Sequence, residues 1–364
     1  MSTANLDQVD LAGTPGGPQF HEDLLDKIND ISPEDLPMTD ICGSATSTAH
    51  LKEWIEEQLE AANPNNAHVD GADLTGDDTV TGQRKANYHQ TAAKRIPVSD
   101  RARNINSVGA GDELVRQVTR RNRALRRDVE ASISSNNIAV AGDANTVASK
   151  AAGIGGFVGS SGAGNSARGV GGADPVLSDT SGAEDGGFPT TIATAGTGRA
   201  ITHTLFKAAL RQAYEQGGNL AYAMGTPEVI EIVSDYMYSS TARIAAMQTN
   251  VGQSNRQGAD SGAGTAGGGI VAQGAVNVYV GNFGSVIMTP NRFQPETATD
   301  ASSLFFIDPE MWDLSFLQGY QMKELATVGL ATNRAISVDY TLCALAERSG
   351  AVIADIDETA AMTD

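Results

Sequence analysis

Apolar residues recur most regularly between positions 109 and 137. Leu114, Val118, Leu125, Val129 and Ile133 fall on one stripe when each residue turns by about 100°. Asp112 and Glu113 follow Gly111, which puts acids where the positive end of a helix dipole favours them. Asn136 and Asn137 break the pattern, because their side chains compete for backbone hydrogen bonds. The spacing predicts one long helix of roughly 25 residues, about 38 Å from end to end. Arg116, Arg120, Arg123 and Arg127 occupy the opposite stripe.

The rest of the chain gives shorter signals. Residues 1–19 are polar and rich in Gly and Pro, and read as an arm that a partner would have to order. Phe20, Leu24, Ile28 and Ile31 then follow helical spacing until Ser32-Pro33, where the residue before proline leaves the α region. Thr48 is an N-cap for a second helix over 50–62, with Leu51, Trp54, Ile55 and Leu59 as its apolar face. From 67 to 106 apolar content falls around a turn-rich stretch at 76–82, which predicts a long hairpin projecting from the body. A stretch of that length without a core implies a task beyond connection, and deleting 69–95 is expected to leave a folded body.

Glycine clusters between 152 and 187 read as a flexible linker; no Gly-Lys-Ser or Gly-Lys-Thr follows, so a phosphate cradle is not supported. Leu205, Phe206, Ala209, Leu210, Ala213 and Tyr214 predict a helix closed by Gly217-Gly218, and Thr226-Pro227 starts another over 228–238. Residues 250–269 form a second low-complexity loop. Val276, Val278 and Val280 alternate before a turn at 281–284, the pattern of a hairpin. Phe305-Phe306-Ile307 and 314–317 are apolar segments, and Ile336, Val338, Tyr340 and Leu342 alternate as in a half-buried strand. From Asp355 an acidic tail is expected to fray.

Charge and composition narrow the function. With 25 basic and 44 acidic residues the net charge is −19, which disfavours nucleic-acid binding over the whole surface and leaves only local contacts. Against that background the arginine row has three readings: a solvated face, a contact to carboxylates of another subunit, or a contact to phosphate. No run reaches the roughly 20 apolar residues of a bilayer span, and the polar start lacks the layout of a signal peptide, so a cytoplasmic chain is expected. Cys42 and Cys343 are too few and too far apart for a disulfide framework or zinc site. The histidines His21, His50, His68, His89 and His203 lack metal-ligand spacing, and Gly-x-Ser-x-Gly is absent. Adjacent carboxylates such as Glu56-Glu57 and Asp77-Asp78 lie in polar stretches, with nothing to raise a pKa for acid catalysis. No enzyme, metal or cofactor is indicated.

In order along the chain come Asp23-Leu24-Leu25, Ile31-Ser32-Pro33-Glu34-Asp35-Leu36-Pro37, Glu53-Trp54, Val69-Asp70-Gly71-Ala72, Asn87-Tyr88, Val98-Ser99, Gly109 and Arg127-Asp128-Val129-Glu130. Leu325-Ala326-Thr327-Val328-Gly329 and Val338-Asp339-Tyr340-Thr341-Leu342 follow near the C-terminus. Together these motifs resemble the major capsid proteins of tailed bacteriophages with the Hong Kong 97-like fold. The resemblance implies an α+β chain divided as follows: N-terminal arm 1–61, extended loop 62–106, peripheral domain with a spine helix 107–195, and axial domain 196–300. From 301 to 364 the chain would return to the peripheral sheet. It further implies hexamers and pentamers of identical copies in an icosahedral virion head, assembled in the host cytoplasm around double-stranded DNA. A separate scaffolding protein, a portal and a decoration protein are the other partners it suggests. The alternative from another class is a non-catalytic tail or adhesin-type binding subunit, which would show repeated short strands rather than one dominant helix.

Overall fold

The computed structural model describes residues 28–59, 61–71, 82–105, 111–143, 145–160, 166–178, 187–239, 278–296, 301–327 and 329–363. The arm at 1–19, most of the first expected helix, the turn at 76–81, Gly109 and the loop at 250–269 lie outside these residues.

The long helix runs from Glu113–Ile133 and is here α3, after α1 (Pro37–Ile41) and α2 (Asp100–Asn104). The Asp112 side chain accepts the Leu114 N–H at 2.9 Å, satisfying one of the donors a helix start leaves open. Leu114, Leu125, Val129 and Ile133 are buried and Val118 half-buried, as the stripe predicts. That face packs on a four-stranded sheet ordered β1-β12-β13-β4: β1 (Gly43–Thr46), β12 (Trp312–Glu324), β13 (Ala331–Ala344) and β4 (Gln90–Ser99). Ile336, Val338, Tyr340 and Leu342 of β13 all turn into the core shared with α3.

A second sheet has six strands, ordered β5-β14-β11-β8-β10-β9. They are β5 (Ser166–Ala167), β8 (Tyr222–Gly225), β9 (Val278–Gly281), β10 (Gly284–Pro290), β11 (Ser302–Ile307) and β14 (Ala351–Ile356). Leu304 and Phe306 of β11 pack with the helices α5 (His203–Glu215) and α6 (Pro227–Ser239), while Phe305 and Ile307 join the core beneath α3. Burial on both faces is why β11 reads as a continuous apolar run instead of an alternation. Thr202 caps α5 and Gly217, at φ +88°, closes it; β9 and β10 form the expected hairpin. The return of the chain after residue 300 divides: β12 and β13 enter the four-stranded sheet, whereas β11 and β14 belong to the six-stranded one.

Five expectations are corrected. Residues 50–62 are not a helix; β2 (Leu51–Glu56) pairs antiparallel with β3 (Gln83–Tyr88), Leu51 opposite Tyr88 and Glu56 opposite Gln83. Trp54 turns inward onto Phe157, with ring centroids 5.9 Å apart, and Ile55 turns outward. The short helix expected before Ser32 is absent over its described part, 28–31. The stretch 62–106 is only partly a projection: β4 buries Ile96 and Val98, so a deletion of 69–95 would remove β3 and part of a packed sheet. In the glycine-rich stretch, α4 (Ile154–Phe157) is wholly buried, and β6 (Val176–Ser178) pairs with β7 (Phe188–Thr191). A Cβ on Gly153 would sit 2.2 Å from the Ser135 carbonyl oxygen, so glycine there permits close packing against the end of α3. Finally, Ile356 is buried and the Thr363 N–H bonds the Ile201 carbonyl at 3.1 Å, which ties the acidic tail down.

Candidate assembly surface

The four arginines predicted as one face meet different surroundings. Arg116 pairs with Glu113 of its own helix at 3.1 Å. Arg120 and Arg123 reach the N-terminal arm, to Asp30 at 3.9 Å and Glu34 at 2.6 Å, with all four side chains substantially exposed. Arg127 lies over the Phe293 ring, its guanidinium carbon 5.0 Å from the centroid, and Arg126 lies over Tyr320 at 5.1 Å. The arm segment 28–36 therefore crosses the arginine face of its own chain. Between them is a cleft of about 410 Å3 lined by Asp30, Glu34, Arg120, Arg123, Arg126 and Arg127. Arg126 escaped the sequence reading because it falls off the ideal stripe; the doublets Arg120-Arg121 and Arg126-Arg127 were the available signal.

One turn further on, on nearly the same side of the helix, Glu130 is covered by the arm and the loop after β10 and is fully buried. Its carboxylate accepts the Met38 N–H at 2.7 Å, the Thr39 N–H at 2.9 Å, the Thr39 hydroxyl at 2.6 Å and the Asn291 amide at 2.9 Å. An anion thus caps the start of α1 and draws together the arm, the long helix and the loop after β10. Burial pushes the Glu130 carboxyl above its ordinary range, and the donors on Thr39, Met38 and Asn291 oppose that rise. Sequence reading had met Glu130 only as the last residue of a family motif.

At the root of the β2–β3 hairpin, Lys85 is 1% exposed and pairs with Glu56 and, at 3.3 Å, with the buried Glu347. Arg348 adds to Glu56 at 3.7 Å, and Ser160 donates to Glu347. The Asn87 amide donates to the Leu342 and Ala152 carbonyls at 2.7 and 3.2 Å, fixing β3 to β13 and to the glycine-rich segment. Burial pushes the Cys343 thiol up to about 12, and Cys42 rises for the same reason, so both are protonated thiols at neutral pH. Among the described residues no group of three or more His, Cys, Asp or Glu is placed to hold a metal, and no helix is long and apolar enough to cross a membrane.

The architecture is similar to that of several solved structures. The capsid of a native GTA particle is 11% identical, with 96% of this chain and 99% of that one covered at a TM-score of 0.58. The SrpI encapsulin of Synechococcus elongatus PCC 7942 is 10% identical over 99% of this chain and 98% of its own, with a TM-score of 0.50. At such identities the likeness establishes the Hong Kong 97-like fold and nothing further. In sequence, the major capsid protein of Escherichia phage Phieco32 is 29% identical over 103 residues, spanning 28% of this chain and 29% of that relative. A family profile described as SU10 major capsid protein matches residues 2–357, nearly the whole chain, and sets aside the tail or adhesin alternative. The chain belongs to the SU10 major capsid protein family, whose members are structural, non-catalytic proteins of the phage head.

Proposed function

We propose that copies of this chain close into an icosahedral phage head, as hexamers and pentamers, around double-stranded DNA. The observation that carries this reading is a set of large apolar side chains left exposed on the extensions. Leu59 is 95% exposed, Val69 80% and Ile55 62% on and beyond the β2–β3 hairpin; Ile31 of the arm is 99% exposed and Leu330 at the β12–β13 turn 85%. They sit on extensions, not on the two packed cores, and extensions of this kind are buried when they reach neighbouring copies. Many identical modest contacts then add up to a durable shell.

In this reading residues 1–61 act as the arm, with β2 of that stretch forming the hairpin's first strand and β3 its second. The α3 helix and four-stranded sheet form the peripheral domain, and the six-stranded sheet with α5 and α6 the axial domain. A separate scaffolding protein and a portal would direct assembly, a decoration protein could bind the outer surface, and DNA contacts would be local because the chain is acidic. The test is electron microscopy and light scattering of the expressed chain, alone and with its scaffolding partner. Closed particles are expected, and Leu59→Asp with Ile55→Asp should abolish them while circular dichroism stays unchanged. A strictly monomeric wild-type chain at high concentration with the partner present would overturn the reading.

A further inference from the structure

Among the described residues the arginine cleft holds more cations than carboxylates. Arg120, Arg123, Arg126 and Arg127 line it, and the described part of the arm supplies Asp30 and Glu34. Arg126 and Arg127 have aromatic rings on one side, and among the described residues neither forms an ion pair with a carboxylate. The cleft keeps a volume of about 410 Å3 with the arm in place, within the range of sites that hold ligands. Both arm pairs are solvent-exposed, at 3.9 and 2.6 Å, so each is weak and exchangeable. The arm's secure attachment is elsewhere: Met38 and Thr39, directly after this segment, are held by the buried Glu130. Residues 28–36 can therefore leave α3 without releasing α1.

We propose that this cleft is a recognition site for an extended acidic peptide, that Asp30 and Glu34 occupy it in the free subunit, and that a carboxylate-rich segment of a partner protein replaces them. The arm then acts as a competitive cover. A carboxylate ligand is favoured over phosphate because the two anions already seated are carboxylates on a segment outside helix and strand, one matched to each of Arg120 and Arg123.

The experiment uses the full-length chain as unassembled subunits, so its outcome does not depend on shell formation. Fluorescein-labelled octaglutamate is titrated by anisotropy at low salt against wild type, Asp30→Asn/Glu34→Gln, and the same variant with Arg120→Glu/Arg123→Glu added. Opening the cover should tighten peptide binding by about tenfold, the combined effect of two exposed pairs. The added arginine reversals should abolish binding while circular dichroism remains that of the wild type, and binding should weaken as salt rises. Equal peptide affinity in all three proteins would overturn the proposal. So would a labelled single-stranded oligonucleotide that binds the opened variant, depends on Arg120 and Arg123, and is not displaced by the peptide; that result would make the cleft a phosphate site.

Discussion

The long helix holds the arm twice, and the two attachments differ in almost every physical respect. At Arg120 and Arg123 charged groups meet charged groups in water, where the attraction is screened and holding two long side chains in place costs entropy. At Glu130 one buried carboxylate meets four neutral donors, two of them backbone N–H groups. The pairs with formal opposite charges are the weaker ones. Burial, and the cost of leaving buried groups unmatched, decides which contact fixes the chain. The Lys85, Glu56, Glu347 and Arg348 group extends the contrast, because it is an ion-pair cluster on the buried side.

Breaking that cluster should have the largest effect. Lys85→Met leaves Glu347 buried without its cation, and unfolding in urea should show a loss of about 3–5 kcal/mol. If the loss is under a kilocalorie, water reaches the hairpin root and the contrast between interior and surface pairs fails there. Glu130→Ala is next: it strands the buried Met38 N–H, while the half-buried Thr39 N–H can turn to water and the Asn291 amide keeps the Ser134 hydroxyl, for a loss of about 1–3 kcal/mol. Hydrogen exchange at 38–39 should accelerate in the same variant, and unchanged protection would mean the anchor lies elsewhere. The smallest effect belongs to the surface pairs. Arg123→Ala should cost less than about 1 kcal/mol, and the difference from wild type should shrink as salt rises. A loss of several kilocalories that salt does not touch would show that the exposed pair is an anchor after all.

These contrasts also mark where the amino-acid pattern was sufficient. The α3 stripe, the α5 stop, the β9–β10 hairpin and the alternation of β13 were legible because each is set by neighbours within a few residues. Residues 51–56 were misread because Leu51, Trp54 and Ile55 stand at i, i+3 and i+4, which matches a helical period, whereas on the strand Trp54 and Ile55 face opposite sides. What selected the strand was β3, which begins 27 residues later at Gln83. The glycines of 153–156 carried no sign that they pack against the end of α3, since close approach is a property of two segments at once.

The candidate site divides in the same way. Sequence alone determined that Arg116, Arg120, Arg123 and Arg127 share the side of a helix away from its apolar stripe, because that follows from the helical repeat. Tertiary structure decided what each one meets: a neighbour on α3, the arm's two carboxylates, or Phe293 from beyond β10. It also decided that Glu130, the helix's one fully buried charged residue, is the anchor. A carboxylate can be buried only where enough donors converge on it. Those at Met38, Thr39 and Asn291 lie 92, 91 and 161 residues away along the chain, so only folding brings them together.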